Sequence, residues 1–188
     1  MIRFEHVTAG YDGKIIFRNL NVQFEDNCRI ALMGPSGMGK TTLLRLMAGL
    51  LEPIEGKICG MDSESKVSFL FQEDRLLPWE TAKRNVALVS DDQTAEKLLA
   101  LMEIENPNQY PREMSGGMQR RVAIARALAF GGDLLLMDEP FKGLDEELRA
   151  RIAKVIGENA KSIIMTTHDE REAALMDATV VRIDGWIA

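Results

Sequence analysis

The chain has 188 residues, and 46% of them are hydrophobic, which is enough for the core of one compact domain with a lobe inserted in it. Its net charge is −6 and it holds no block of five like charges, which argues against a nucleic-acid partner because phosphate backbones need clustered Lys and Arg. No apolar run approaches the roughly 18 residues that cross a bilayer, and no secretory signal opens the chain, so we expect a cytoplasmic protein.

The hydrophobic periodicity predicts strands that alternate with helices. Alternating patterns at residues 2–7 and 15–24 predict two antiparallel strands, joined by a turn at residues 11–14. Further strands are predicted at residues 29–33, 66–71, 133–137 and 162–167, and helices at 40–51, 80–103, 117–130, 145–157 and 169–176. Such alternation is typical of an α/β fold with a mainly parallel sheet.

Residues 34–41 have the pattern G-x-x-x-x-G-K-[ST], between a predicted strand and a predicted helix. Glycines let backbone N–H groups turn toward phosphate oxygens, and the helix N-terminus adds its positive end. Lys40 can reach the β and γ phosphates, and Thr41 offers a hydroxyl to Mg²⁺. A chance match falls below about one in a hundred for a chain of this length. We therefore predict an ATP site at Gly34, Pro35, Ser36, Gly37, Met38, Gly39, Lys40, Thr41 and Thr42.

Two adjacent carboxylates, Asp138 and Glu139, end an apolar predicted strand. Neighbouring residues of a strand point in opposite directions, so the two groups can do different tasks. In P-loop enzymes, the first such carboxylate helps to hold Mg²⁺, which here indicates Asp138 together with Thr41. Alone, the pair is equally typical of a solvated acidic turn. Beside the phosphate loop, it favours a catalytic site.

A third segment, residues 114–119, reads Met-Ser-Gly-Gly-Met-Gln and precedes a predicted helix. By itself it predicts only a capped helix start with unhindered amides. The three segments in this order resemble the nucleotide-binding subunit of ABC transporters, and the resemblance covers essentially the whole chain. Met114 stands where that family usually has leucine, and Met118 stands where it often has glutamine.

The resemblance implies a P-loop NTPase core with a mainly parallel sheet, N-terminal antiparallel β-strands and an inserted α-helical lobe at about residues 73–130. It implies one ABC ATP-binding domain over residues 1–188, without a C-terminal regulatory domain. The implied activity is Mg²⁺-dependent ATP hydrolysis, in which Glu139 polarises the attacking water. The implied catalytic residues are Lys40, Gln72, Glu139 and His168.

Four single positions carry roles by resemblance, and each has a plainer alternative. Gln72 matches the Q-loop glutamine that contacts Mg²⁺ and water, or is a polar strand end. His168 matches the switch histidine beside the γ-phosphate, and Asp145 the D-loop aspartate, or both cap the helices that follow. Tyr11 matches the ring that stacks on adenine, or is a tyrosine in a hairpin turn. The D-loop departs from the family at Lys142-Gly143, where a pair of small residues is usual.

Two partners are also implied. Ser115, Gly116 and Gly117 would face the nucleotide of a second copy, which gives a homodimer with ATP sandwiched between the subunits. The apolar loop of residues 76–79 would receive a membrane permease near Leu76, Leu77 and Trp79, which places the protein on the inner face of the cell membrane. The alternative is that this loop folds back onto the core of the lobe. A cargo-binding protein would be met only indirectly.

The leading interpretation is the motor subunit of an ABC transporter, and an importer is favoured because the subunit stands alone. Residues 72–79 with residues 85–88 resemble the nitrate, sulfonate, taurine and thiamine-precursor importer group. One alternative is a soluble ABC ATPase of DNA repair or translation, which would carry coiled coils or a second cassette. Another is a small P-loop kinase, which would not account for residues 115–117.

Overall fold

The computed structural model describes residues 1–11, 13–60 and 65–186. The strands are β1 (Ile2–Tyr11), β2 (Lys14–Phe24), β3 (Arg29–Met33), β4 (Glu55–Cys59), β5 (Val67–Leu70), β6 (Leu134–Asp138), β7 (Ile163–Thr166) and β8 (Thr179–Arg182). The helices are α1 (Lys40–Met47), α2 (Ala82–Ala87), α3 (Asp92–Leu101), α4 (Gly116–Phe130), α5 (Glu146–Asn159) and α6 (Glu170–Leu175), with a short 3₁₀ turn at Pro111–Glu113.

The strands of the described residues form two sheets. One is parallel, with the order β5-β6-β7-β3-β8, and the other is antiparallel, with the order β2-β1-β4. Strand β3 therefore lies between two strands from the last part of the chain. This architecture confirms the predicted α/β class, the mainly parallel sheet and the N-terminal antiparallel strands.

The parallel sheet is covered on both faces, which explains the apolar runs of its strands. Every residue of β6 and β7 is buried, as are four of the five residues of β3. One face packs on an apolar cluster that includes residues of α1, β1 and β2, and the other on residues of α2 to α5. The carboxyl ends of β3, β5, β6 and β7 meet at one edge because these strands are parallel. The loops that leave this edge carry the predicted site residues.

Helices α2, α3 and α4 pack against one another and contribute to one apolar cluster, with Val86, Leu98, Leu99, Val122 and Ile124 among its members. The sequence predicted helical structure over residues 80–103, and the structure divides this range into two helices. Asp91 caps a new helix by accepting a hydrogen bond from the Thr94 N–H at 2.8 Å, so α2 and α3 are separate.

The sequence predicted that helix α1 extends to residue 51, but the helix ends at Met47. Gly49 adopts φ +65°, and the N–H groups of Leu50 and Leu51 donate back to the Arg45 carbonyl, which is a glycine-type helix end. Strand β4, which follows and pairs with β1, lies outside the predicted strands, as does β8. Asp12 of the predicted turn lies outside the described residues.

None of the helices in the described ranges is long and apolar enough to cross a membrane.

Candidate functional site

The loop between β3 and α1 closes around the ammonium group of Lys40. Lys40 Nζ donates to the carbonyls of Gly34 at 2.6 Å and Pro35 at 2.9 Å. Gly39 adopts φ +84° at the helix start, where a Cβ would lie 2.6 Å from Phe17 Cζ and 2.7 Å from Ile16 Cγ2, so only glycine fits. Gly39 provides no side-chain cap for α1, so its first N–H groups remain available to an anion.

The carboxylate of Asp138 is buried at the end of β6 and accepts two hydroxyl hydrogen bonds. Thr41 Oγ1 donates to Oδ2 at 2.7 Å, and Thr166 Oγ1 donates to Oδ1 at 2.6 Å. A hydroxyl and a carboxylate side by side are hard oxygen ligands of the kind that Mg²⁺ prefers. The described residues hold no group of three or more His, Cys, Asp or Glu that could bind a metal alone. The donor set therefore fits Mg²⁺ that is bound together with the phosphates of a nucleotide.

The next residue, Glu139, has a left-handed backbone with φ +50°, which costs a non-glycine residue about 1–2 kcal/mol. Its N–H donates to Thr166 Oγ1 at 3.0 Å. Gln72 Nε2 donates to Glu139 Oε2 at 3.4 Å, and His168 Nδ1 lies 4.0 Å from Glu139 Oε1. His168 is 80% exposed, so it reaches this carboxylate from the solvent side.

A cavity of about 280 Å³ opens between the phosphate loop and the acidic end of β6. It is lined by Ile16, Ser36, Gly37, Gly39, Lys40, Thr41, Thr42, Gln72, Asp138 and Glu139. A larger groove, of about 610 Å³, lies between α5 and α6. We place the site at the smaller cavity because the lysine, the helix N-terminus and the two carboxylates meet there.

Three residues of the predicted ATP site are near this cavity without lining it. Gly34 and Pro35 contribute carbonyls that hold Lys40. The side chain of Met38 is partly buried against the apolar cluster of β1, β2 and α1. Gly34, Pro35 and Met38 therefore shape the phosphate loop from the side that faces away from the cavity.

The remaining predicted ligands do not line the cavity of their own chain. Ser115 caps α4 by accepting from the Met118 N–H at 3.2 Å, and Asp145 caps α5 by accepting from the Leu148 N–H at 2.9 Å. Tyr11 is the last residue of β1, and its hydroxyl accepts from Arg45 Nη1 at 3.3 Å. The capping alternatives thus describe Ser115 and Asp145 in one copy, and the contacts of all three side chains with nucleotide stay predictions.

Arg149 connects the residue before Asp145 with the residue after His168. Arg149 Nε donates to the Leu144 carbonyl at 2.8 Å, and its Nη1 lies 3.7 Å from Asp169 Oδ2. The Arg171 side chain donates to the Asp169 carboxylate, and this hydrogen bond holds the pKa of Asp169 below its ordinary value. Asp169 is therefore a charged cap of α6.

Comparisons with known proteins decide the family. The sequence profile described as ABC transporter matches residues 17–142. The chain is 36% identical to the aliphatic sulfonates import ATP-binding protein SsuB 1 of Streptomyces avermitilis, over all of this chain and 75% of that protein. It is 38% identical to the sulfate/thiosulfate import ATP-binding protein CysA of Synechocystis sp., over 99% of this chain and 59% of that protein. It matches a dimeric ATP-binding cassette solved with ADP and phosphate, with a TM-score of 0.85, 29% identity, and coverage of 97% and 94%.

The chain belongs to the ABC transporter family. It is an ATP-binding ABC transporter ATPase, which confirms the predicted ATPase activity and the P-loop NTPase fold. The family also excludes the small P-loop kinase that the sequence left open.

Besides the apolar Ile16 that lines the cavity, two polar residues described in this ABC transporter ATPase hold the backbone of the site and were not predicted. Thr166 joins Asp138 to Glu139 through one hydroxyl. Arg120, on α4, donates to the carbonyls of both residues at 2.8 Å. The position of Thr166 at a strand end, two residues before the predicted site residue His168, was a usable signal. The sequence holds no such signal for Arg120, because this residue stands among other polar residues at the start of a helix.

Proposed function

We propose that this protein is the Mg²⁺-dependent ATP-hydrolysing subunit of an ABC importer and drives a separate membrane permease. The relatives named above are import proteins, for sulfonates and for sulfate or thiosulfate. A third, from Listeria monocytogenes, is named for carnitine transport. These names support import and leave the cargo open among small polar solutes.

The observation that carries the catalytic part is the convergence of distant segments on one cavity. The phosphate loop supplies Lys40 and the start of α1, while the ends of β5 and β6 supply Gln72, Asp138 and Glu139. The Thr41 hydroxyl and the Asp138 carboxylate are already 2.7 Å apart. Such a cavity suits a phosphate chain at one end and a water molecule at the other.

In this proposal, the side chains of the cavity share the tasks of binding phosphate, holding Mg²⁺ and activating water. Lys40 leaves the loop carbonyls for the β and γ phosphates, and the first N–H groups of α1 bind the same oxygens. Thr41, Asp138 and Gln72 would hold Mg²⁺. When bound, the ion neutralises charge that develops on the phosphate oxygens.

Glu139 accepts the proton of the attacking water, and Gln72 and His168 orient that water and the γ-phosphate. Gln72 and His168 support this task because they flank the Glu139 carboxylate at 3.4 and 4.0 Å. A positioned general base contributes about 10² to 10⁴ in rate.

We further propose that residues 1–188 act as one ATP-binding domain, with α2 to α4 as the inserted lobe. Ser115, Gly116, Gly117 and Asp145 would complete the site of a second copy, since they do not line the cavity of their own chain. Tyr11 would stack on adenine. The permease would hold the protein at the cytoplasmic face of the membrane.

The test is to replace Glu139 with Gln and to measure both ATP binding and turnover. The amide keeps the shape of the side chain but cannot accept a proton, so turnover should fall at least about a hundredfold while ATP still binds. Lys40→Ala should weaken ATP binding instead. The matched controls are the exposed Glu158→Gln and Lys154→Ala on α5, which should change neither quantity. Normal turnover in Glu139→Gln would remove Glu139 from the mechanism.

A further inference from the structure

Arg120 reaches from α4 to the acidic end of β6. Only 3% of its side chain is exposed. Its Nη2 donates to the carbonyls of Asp138 and Glu139 at 2.8 Å each, and its Nε donates to the Pro140 carbonyl at 3.0 Å. Successive carbonyls of a strand point in alternate directions, so this convergence requires the change of backbone direction at Glu139. The guanidinium therefore holds the left-handed turn at Glu139 in place.

The other edge of the same guanidinium holds the segment that carries Gln72. Arg120 Nη1 donates to the Phe71 carbonyl at 2.7 Å and to Asp74 Oδ1 at 3.0 Å, and it lies 3.5 Å from the Gln72 carbonyl. The Asp74 carboxylate also balances the buried positive charge. One side chain thus anchors the backbone on both sides of the contact between Gln72 and Glu139.

Arginine suits this position for a chemical reason. A guanidinium offers five N–H donors in one plane, and the acceptors on Phe71, Asp74, Asp138, Glu139 and Pro140 account for all five. An ammonium has three donors and no such plane, so a lysine would leave buried carbonyls without partners.

We propose that Arg120 is a positioning residue for ATP hydrolysis: it fixes the Glu139 and Gln72 backbones relative to each other and so aims the Glu139 carboxylate. This inference rests on the proposed role of Glu139. Arg120 does not line the cavity and donates to no residue of the phosphate loop. Its loss should therefore slow turnover and spare ATP binding.

The experiment compares Arg120→Lys with the unmodified protein, using Mg²⁺-ATP as ligand. A displacement of about 1 Å at a reacting group can cost up to about a hundredfold in rate, so we expect kcat per folded molecule to fall about 10- to 100-fold. The dissociation constant for ATP should change less than about threefold. Arg29→Lys is the matched control, because Arg29 also donates to backbone carbonyls, those of Gly157 and Met176, away from the cavity. It should keep its kcat.

A purely structural role for Arg120 would be revealed by combining substitutions. If Arg120 acts through Glu139, then adding Arg120→Lys to Glu139→Gln should cost little further turnover, measured with labelled ATP in single turnovers. Should Arg120→Lys not fold, Arg120→Gln with Asp74→Asn removes the buried charge and its counter-ion together and is measured in the same way.

Normal kcat in folded Arg120→Lys, or losses that multiply fully with Glu139→Gln, would overturn the proposal. If Glu139→Gln alone turns over normally, the catalytic assignment and this proposal fail together. A defective Glu139→Gln beside a normal Arg120→Lys refutes only the role of Arg120.

Discussion

At the scale of single residues, the hydroxyl of Thr166 joins the two carboxylate residues of the site. It donates to Asp138 Oδ1 and accepts from the Glu139 N–H, and the residue is fully buried. Its place opposite Asp138 follows from the parallel register of β6 and β7. If this buried hydroxyl is removed, water cannot enter to bind the Asp138 carboxylate and the Glu139 N–H in its place. Its removal should therefore lower the stability of the protein.

We predict that Thr166→Val lowers the free energy of unfolding by about 1–3 kcal/mol, because Asp138 and the Glu139 N–H each lose a buried partner while the volume stays similar. Turnover should fall as well. Urea unfolding at neutral pH and steady-state ATPase assays would measure both effects.

The control is Thr166→Ser, which keeps the hydroxyl and loses one methyl group, at about 1 kcal/mol. Equal losses of turnover in the two variants would show that the methyl group matters and the hydroxyl does not.

At this scale the sequence predicted the residues that belong to patterns and missed those defined by contact. Lys40, Asp138 and Glu139 sit at fixed offsets from glycines or at a strand end, so their types and spacing are informative. Arg120 is defined by carbonyls that are 18 to 49 residues away along the chain, which no local pattern records.

At the scale of elements, the loop of residues 76–79 combines a buried anchor with an exposed ring. The fully buried Asn85 accepts from the Leu77 N–H at 2.8 Å and donates to the Leu77 carbonyl at 3.2 Å. Leu76 packs against the core cluster, as the alternative interpretation of this loop expected. Trp79 is 68% exposed and does not fold back, and Leu88 and Val89 are also exposed. An ordered loop that presents tryptophan to solvent suits a protein contact.

We predict that Trp79→Ala leaves the free energy of unfolding within about 0.5 kcal/mol, because an exposed ring contributes little to the core. Basal ATPase should persist, while assembly with the permease should weaken. Copurification with a tagged permease and ATPase assays of the isolated subunit would measure this.

Phe130→Ala, which removes another exposed aromatic ring at the end of α4, should leave assembly intact. Assembly at the normal level with Trp79→Ala would exclude this loop as the permease contact.

The sequence missed strand β4 and the break between α2 and α3 for two different physical reasons. Strand β4 has no buried residue, so its sequence lacks the apolar signal, and its pairing depends on β1. The break between α2 and α3 contains neither glycine nor proline. It depends on the cap at Asp91, a hydrogen bond from a backbone N–H to a side chain that leaves no mark in the hydrophobic periodicity.

At the scale of the whole molecule, the phosphate loop and the segment Ser115–Gly117 face different places in one chain. Ser115 caps α4 and is exposed, and none of the three residues lines the ATP cavity. The similar solved cassettes are described as dimeric. A twofold dimer would place each such segment over the partner's phosphate loop and create two equal sites.

We predict that Glu139→Gln forms a dimer when ATP is present, because ATP that is not hydrolysed remains in the interface. Adding Ser115→Arg should prevent it through bulk and charge, whereas Gln93→Arg, on the exposed face of α3, should not. Light scattering with and without Mg²⁺-ATP distinguishes monomer from dimer. A monomer at saturating ATP in Glu139→Gln alone would contradict the sandwich arrangement.

The position of β3 in the sheet has a consequence for how the protein is made. This strand, which leads into the phosphate loop, pairs with β7 at residues 163–166 and with β8 at residues 179–182, all of which leave the ribosome well after it. The antiparallel strands β1, β2 and β4 need only the first 59 residues and can pair much earlier. Long-range parallel pairing is slow, and open strand edges invite association with other chains. We therefore expect a nascent chain to carry an unanchored phosphate loop until residues 163–182 have been made, so that ATP cannot stabilise the loop before then and chaperones would have to shield it.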